Sequence, residues 1–196
     1  MRADLAKERL RKQFLETRRA LTFEAVWRKS AIIEKNLVET AMFKNASRIA
    51  LYSSIENEVL TDGIFTSGSL EKKNFFYPSI FIGALAMRFL LVTDLKELTP
   101  GAYEIREPDK AKEGVNPGEL DLIVMPGVAF SPKGARLGFG KGYYDRVLEG
   151  LKCPLAALAY EFQILDSIPT ESFDVSMDYI ITEKRVIRCC EEQSPE

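Results

Sequence analysis

The stretch from residue 120 to residue 160 constrains the fold more than any other part of the chain. Leu120-Asp-Leu-Ile-Val-Met125 is a short apolar run stopped by Pro126-Gly127, and Pro154-Leu-Ala-Ala-Leu-Ala-Tyr160 is a second. Between them lie a glycine-rich loop, 134–142, and helix-forming residues from Tyr143 to about Leu151. Runs so short and apolar read as strands buried on both faces, and a helix between two of them is the crossover of a parallel sheet. The alternation recurs upstream. Residues 48–52 read as a strand, followed by an acidic loop at 54–58, a short helix capped near Thr61, and a strand at Phe75-Phe-Tyr77 that ends before Pro78. Residues 87–92 form a further strand, and 178–182 and 185–188 close the chain. Residues 3–20 predict a helix with Leu5, Leu10, Phe14 and Leu21 as its apolar stripe. A second helix is capped by Thr22, stapled by Leu21 and Val26, and runs to about Lys44. The least regular stretch, 98–118, holds three Pro and three Gly and reads as a long surface connection. Over 196 residues this predicts a single-domain α/β, three-layer fold spanning 1–196. A mostly parallel central sheet is flanked by helices, residues 1–44 form a helical N-terminal part, and 191–196 form a frayed tail.

Composition narrows the chemistry. The chain has no histidine, which excludes Ser-His-Asp and Cys-His nucleophile systems and zinc sites built on imidazole. Catalysis must rest on carboxylates, Lys, Arg, Tyr, hydroxyls or backbone dipoles. Cys153, Cys189 and Cys190 give no even disulfide framework and no C-x-x-C spacing, which favours a reducing compartment. The adjacent pair reads as two small residues ending a strand. The longest apolar run, 80–87, stops at Arg88, well short of the roughly 18 residues of a membrane span. Met1-Arg2-Ala3-Asp4-Leu5 lacks the apolar core of a secretory signal. A cytoplasmic protein without a membrane partner is expected. The net charge is −2, unevenly spread: residues 1–35 carry ten Lys/Arg against five acids, the remainder 17 against 24. A basic first helix on an acidic body suits an anionic partner, nucleic acid or polyphosphate, although a solvated helix face would give the same count.

The residues richest in chemistry are Gly134-Ala-Arg136-Leu-Gly138-Phe-Gly140-Lys141-Gly142-Tyr143-Tyr144-Asp145-Arg146. Glycines at this density let the backbone approach a ligand, and their N–H groups can converge on an anion at the start of the following helix. Arg136 adds a planar fork and Lys141 a mobile point charge. This is polyphosphate-binding chemistry, yet the usual templates fail. A Walker A loop needs glycine where Ala135 stands and a hydroxyl where Gly142 stands, and G-x-G-x-x-G breaks at Tyr143. Asp145, beside phosphate-binding donors, is a natural Mg²⁺ ligand, since its charge would otherwise repel phosphate. An ordinary first-turn aspartate, favourable to the helix dipole, is the alternative.

Arg136-Leu-Gly-Phe-Gly-Lys-Gly-Tyr-Tyr-Asp145, preceded by Pro126-Gly127-Val-Ala-Phe130 and Gly134, closely resembles the signature of the 5-formyltetrahydrofolate cyclo-ligases, also called methenyltetrahydrofolate synthetases. Lys7-Glu8-Arg9-Leu10-Arg11 looks like the family's Lys-x-x-Leu-Arg element. Residues 52–58, Tyr77-Pro78, Met87, Phe89, Glu107-Pro108, Gln163 and Asp178-x-Ile-Ile-Thr-Glu183 fit further landmarks in order, so the resemblance spans nearly the whole chain. It implies a ligase, working as a monomer on small molecules, that converts 5-formyltetrahydrofolate and ATP to 5,10-methenyltetrahydrofolate, ADP and phosphate with Mg²⁺.

Residue by residue, the resemblance implies ATP binding by Lys7, Glu8, Arg9, Leu10 and Arg11 and by Arg136, Leu137, Gly138, Phe139, Gly140, Lys141, Gly142, Tyr143 and Tyr144. Arg136 and Lys141 are the implied catalytic cations. Ser53, Glu58, Phe139, Gly140, Lys141, Gly142 and Tyr143 would contact the folate, with Met87 as soft apolar surface, and Asp145 and Asp178 would hold Mg²⁺. Many bacterial relatives carry His-Asp where this chain reads Phe173-Asp174, and no role is assigned to either residue. Three other readings compete, one of them an inactive relative of the family, against which the retained Arg136, Lys141 and Asp145 count. A phosphoryl-transfer enzyme acting on a different formyl or carboxyl compound would keep the loop and lose the Glu58 contact. An RNA-binding module would use the basic helix, against which the net charge and the absence of basic-aromatic interleaving weigh.

Overall fold

The computed structural model describes residues 2–84, 86–171 and 174–189; Phe173, Cys190 and the tail at 191–196 lie outside them. The chain opens with α1 (Arg2–Arg19) and α2 (Phe23–Val38), the latter capped by Thr22, whose side chain accepts the Ala25 N–H. The helix expected to reach Lys44 is two helices. Thr40 Oγ1 donates to the Leu37 carbonyl and accepts the Phe43 N–H, closing α2 and starting α3 (Ala41–Asn45). One hydroxyl serves both ends, so no Gly or Pro marks the break.

From β1 (Arg48–Ala50) the chain crosses through α4 (Asp62–Leu70) to β2 (Asn74–Phe81), parallel to β1. The expected stop before Pro78 does not occur. β1 pairs only with 74–76, so the ring nitrogen of Pro78 interrupts no ladder on that side, while β3 (Ala86–Val92) pairs antiparallel along the whole of 75–81. Residues 98–118 are more than a connection. β4 (Thr99–Pro100) and β5 (Arg106–Glu107) form a small hairpin, and β6 (Gly114–Val115) edges the main sheet. Buried Glu107 pins this segment down, accepting from Ser79 Oγ, the Ile80 N–H and the Ala102 N–H at 3.1 Å each.

β7 (Leu122–Met125) then pairs with the far side of β1. A separate hairpin of β8 (Ala129–Phe130) and β9 (Arg136–Leu137) leads to α5 (Tyr143–Leu148), β10 (Leu155–Leu158), β11 (Tyr179–Ile181) and β12 (Val186–Arg188). The sheet order is β12-β11-β10-β7-β1-β2-β3-β6, with five parallel strands at its centre and antiparallel pairing at both edges. This is the mostly parallel, three-layer α/β architecture expected. Successive residues of the strands feed opposite layers: Ile49, Leu122 and Val124 pack with Ile33 and Leu37 of α2 and Ile64 of α4, whereas Ala50, Ile123 and Met125 pack with Tyr143 and Leu148 of α5. Each aliphatic side chain of Val or Leu size so buried is worth roughly 1.5–3 kcal/mol. α1 stands apart, seated by Phe14 on Val128, Ala129, Leu137 and Ile168.

β1 continues to β2 on one side, and β7 joins on the other. The winding therefore reverses between β1 and β7, where diverging carboxyl ends leave a crevice, the usual ligand position in open α/β sheets. Pro126 follows β7 there, and residues 52–58 follow β1.

Candidate active site

A cavity of about 550 Å³ opens at this crevice. Its wall is built from the 52–58 loop, from Pro78 and Ile80 of β2 with Met87 of β3, and from 103–107. Residues 136–145, Pro126, Glu171 and Asp174, and three residues of α1, Asp4, Lys7 and Arg11, complete it. The glycine loop is held in one shape. Gly134 has φ +93°, and a Cβ there would lie 2.6 Å from the Met177 carbonyl, so only glycine closes this turn. Arg11 Nε donates to the Gly138 carbonyl at 2.9 Å, and Arg146 Nη2 to the Lys141 carbonyl at 3.1 Å. Gly140, at φ +85°, lets the Arg11 guanidinium lie 3.3 Å from where a Cβ would stand. α5 is six residues long, ending at Leu148 instead of near Leu151. Its dipole is correspondingly small, and attraction for an anion falls to loop N–H groups and side-chain cations.

Those cations differ in state. Lys141 is exposed, its Nζ 5.8 Å from the centre of the Tyr103 ring, and the Tyr103 and Tyr143 hydroxyls meet at 3.3 Å. Arg136 is largely buried, donates from Nη2 to Asp145 Oδ1 at 3.1 Å, and lies over the Tyr144 ring. Its Nε is buried with no hydrogen-bond partner among the described residues. Lys7 Nζ reaches Asp174 at 2.9 Å and Glu171 at 3.2 Å. Burial works against the Lys7 ammonium, but these hydrogen bonds outweigh it and hold its pKa above the ordinary lysine value.

Among the described residues, six acids and four bases line the cavity. A bare polyphosphate would meet more negative than positive charge, and a divalent cation would correct that. Asp145 Oδ1 also accepts the Val175 N–H at 3.4 Å, which brings the neighbouring Asp174 to the same wall. Hard carboxylate oxygens in ones and twos, completed by phosphate and water, suit Mg²⁺. Among the described residues no cluster of three His, Cys, Asp or Glu side chains forms a ready-made metal cage, so a metal held here shares its shell with a ligand.

Asp178 is not part of this site. It precedes β11 at the amino ends of the strands, where its Oδ2 accepts the Leu155 N–H at 2.8 Å and its own N–H donates to the Leu155 carbonyl. The acid that faces the cavity is Asp174, four residues earlier. Glu8, Arg9 and Leu10 also miss it: Glu8 and Arg9 are exposed, and Leu10 packs with Phe14. The inward stripe of α1 is Lys7, Arg11, Phe14 and Arg18, one residue per helical turn, and that period was the available signal for Arg18.

On the opposite wall Ser53 donates to the Arg106 carbonyl at 2.6 Å. Glu58 is 4% exposed; Oε2 accepts the Ile55 N–H at 3.1 Å, while Oε1 has no hydrogen-bond partner among the described residues. Arg18 Nη1 stands 3.6 Å from Oε1. Burial pushes the Glu58 carboxyl up to about 7, with Arg18 and the Ile55 N–H pulling the other way.

Fold and cavity together define a doubly wound α/β protein with a cationic, glycine-rich loop at its switch point. The chain belongs to the 5-formyltetrahydrofolate cyclo-ligase family, whose sequence profile matches residues 3–183. It is 31% identical over 190 residues to the mouse (Mus musculus) 5-formyltetrahydrofolate cyclo-ligase, covering 91% of this chain and 94% of that protein. To the Haemophilus influenzae cyclo-ligase it is 36% identical over 151 residues, 72% of this chain and 77% of that one. The solution structure of the Aquifex aeolicus 5,10-methenyltetrahydrofolate synthetase superposes with a TM-score of 0.84 at 37% identity, covering 97% of this chain and 96% of that one. The Mycoplasma pneumoniae synthetase gives 0.74 at 30% identity over 90% and 98%. Among the described residues no helix is long and apolar enough to cross a membrane.

Proposed function

We propose that this protein closes 5-formyltetrahydrofolate to 5,10-methenyltetrahydrofolate, using ATP and Mg²⁺ and releasing ADP and phosphate. The observation that carries the reading is that the cationic glycine loop and Glu58 border a single cavity. The N5-formyl group is an amide whose oxygen leaves poorly. Transfer of the γ-phosphoryl group to that oxygen makes it a leaving group; N10 then attacks the formyl carbon and gives up its proton to solvent, and the oxygen departs with the phosphate. Ring closure is intramolecular, so the protein's task is to align two ligands and neutralise phosphate charge. No histidine is required.

In this reading Lys141 and Arg136 stabilise the transferring phosphoryl group, and the orphaned Arg136 Nε finds an acceptor there. Lys7 and Arg11 hold the polyphosphate from α1, exchanging internal partners for phosphate oxygens. Asp145 and Asp174 would hold Mg²⁺, which supplies charge neutralisation when bound; Asp178 takes no part. Glu58 would receive the N–H edge of the pterin, and Phe139, Tyr143 and Met87 its faces. The test is the near-ultraviolet absorbance of the methenyl product. It should grow only when protein, ATP, Mg²⁺ and 5-formyltetrahydrofolate are all present, with ADP formed in equal amount. Folded protein that yields neither product refutes the proposal.

A further inference from the structure

Arg18 lies outside the cavity wall, directly behind Glu58. It is 1% exposed. Nε donates to the Glu56 carbonyl at 3.0 Å and Nη1 to the Gly127 carbonyl at 3.2 Å. The guanidinium is thus tied to the chain just past β1 and just past β7, the two strands that flank the crevice. Nη2 has no hydrogen-bond partner among the described residues, and neither has the facing Glu58 Oε1. The guanidinium carbon also lies 5.6 Å from the centre of the Phe139 ring in the glycine loop. A purely structural tie between α1 and the sheet would need only the two carbonyl contacts. The buried approach of a full positive charge to one carboxylate oxygen, without a hydrogen bond between them, leaves that oxygen's acceptor capacity unused in a residue that lines the cavity.

We infer that Arg18 is a positioning residue for substrate recognition, fixing the Glu58 carboxylate, charged and with one oxygen free, for the incoming ring. The inference rests on the reading of Glu58 as the pterin contact. The groups that face Glu58 are Arg18 from α1, Glu56 from its own loop, Tyr52 after β1, Tyr144 of α5 and Tyr160 after β10. Burial, the largest influence on each, raises all three phenols above their ordinary value, so they stay neutral near pH 7. Glu56 is engaged by Arg19 at 2.6 Å. Arg18 is therefore the positive charge that opposes desolvation of Glu58, and without it desolvation acts unchecked.

The experiment measures 5-formyltetrahydrofolate binding by calorimetry between pH 6 and 9 for the full chain, Arg18→Met, Arg18→Lys, Glu58→Gln and the Arg18→Met/Glu58→Gln double variant. Thermal melts establish folding. Wild-type binding should weaken as pH falls through about 7. In Arg18→Met that weakening should begin about one pH unit higher, giving about fivefold weaker binding at pH 7 that recovers toward pH 9. In the Glu58→Gln background, Arg18→Met should add less than about twofold, because its effect runs through the missing carboxylate. An unshifted pH profile in Arg18→Met, or an undiminished loss in the Glu58→Gln background, overturns the inference. Should Arg18→Met not fold, Arg18→Lys decides: a wild-type pH profile upholds the role of the charge, and a loss independent of pH overturns it. Wild-type protein that binds no 5-formyltetrahydrofolate refutes the proposed function itself, a result distinct from either.

Discussion

Glu58→Gln should stabilise this protein near neutral pH while weakening its hold on folate. Glu58 is buried, and its carboxyl titrates at about 7 in the fold against 4.5 in the unfolded chain. A raised carboxyl pKa means the folded state binds the proton more tightly. Its contribution is therefore full below pH 4.5 and is lost as pH rises through 7. Across that window the linkage amounts to about 3 kcal/mol at most. Glutamine keeps an acceptor for the Ile55 N–H and carries no charge to desolvate, but it leaves the Arg18 guanidinium without its anion. The net gain at pH 8 should thus be about 1–2 kcal/mol. Chemical denaturation of wild type and variant at pH 4.5, 6, 7 and 8 measures it. The two stabilities should converge at the acid end and diverge as pH rises from 4.5 to about 7, the wild type falling and then levelling off. Parallel profiles would refute the assignment of a strained, proton-hungry carboxyl to Glu58.

Two further perturbations separate chemistry from scaffold. Lys141→Ala, at an exposed side chain, should leave the melting temperature within the range of neutral surface changes and lower turnover about a hundredfold or more; unchanged turnover would mean that the loop is not the phosphoryl-transfer element. Asp174→Asn should raise the Mg²⁺ concentration needed for half-maximal turnover about tenfold or more. Asp178→Ala should leave that concentration unchanged and cost about 1–3 kcal/mol of stability by orphaning the Leu155 N–H.

The layered sheet was legible because its strands are buried on both faces and therefore read as unbroken apolar runs. The loop at 134–145 was legible because glycine and charge coincide there. What escaped depended on the third dimension. Asp174 and Asp178 are one helical turn apart in number, but no helix joins them, and only the first lines the cavity. Arg18 looked like one more charge in a basic helix, since counting charges ignores which side of the helix bears them. The break at Thr40 left no trace because Glu39 and Thr40 are tolerable inside a helix, and only the hydroxyl's two bonds reveal the ends. Pro78 misled in the opposite sense: it stops a strand only where a neighbour needs its N–H.

The brackets that Arg11 and Arg146 place on the Gly138 and Lys141 carbonyls change what the glycines mean. A ribbon so poor in side chains suggests slack, yet clamped from two helices it behaves as a stiff rim. The disorder it would otherwise surrender on meeting a guest has already been surrendered when the chain collapses, so capture can be quick and release need not wait for the rim to melt.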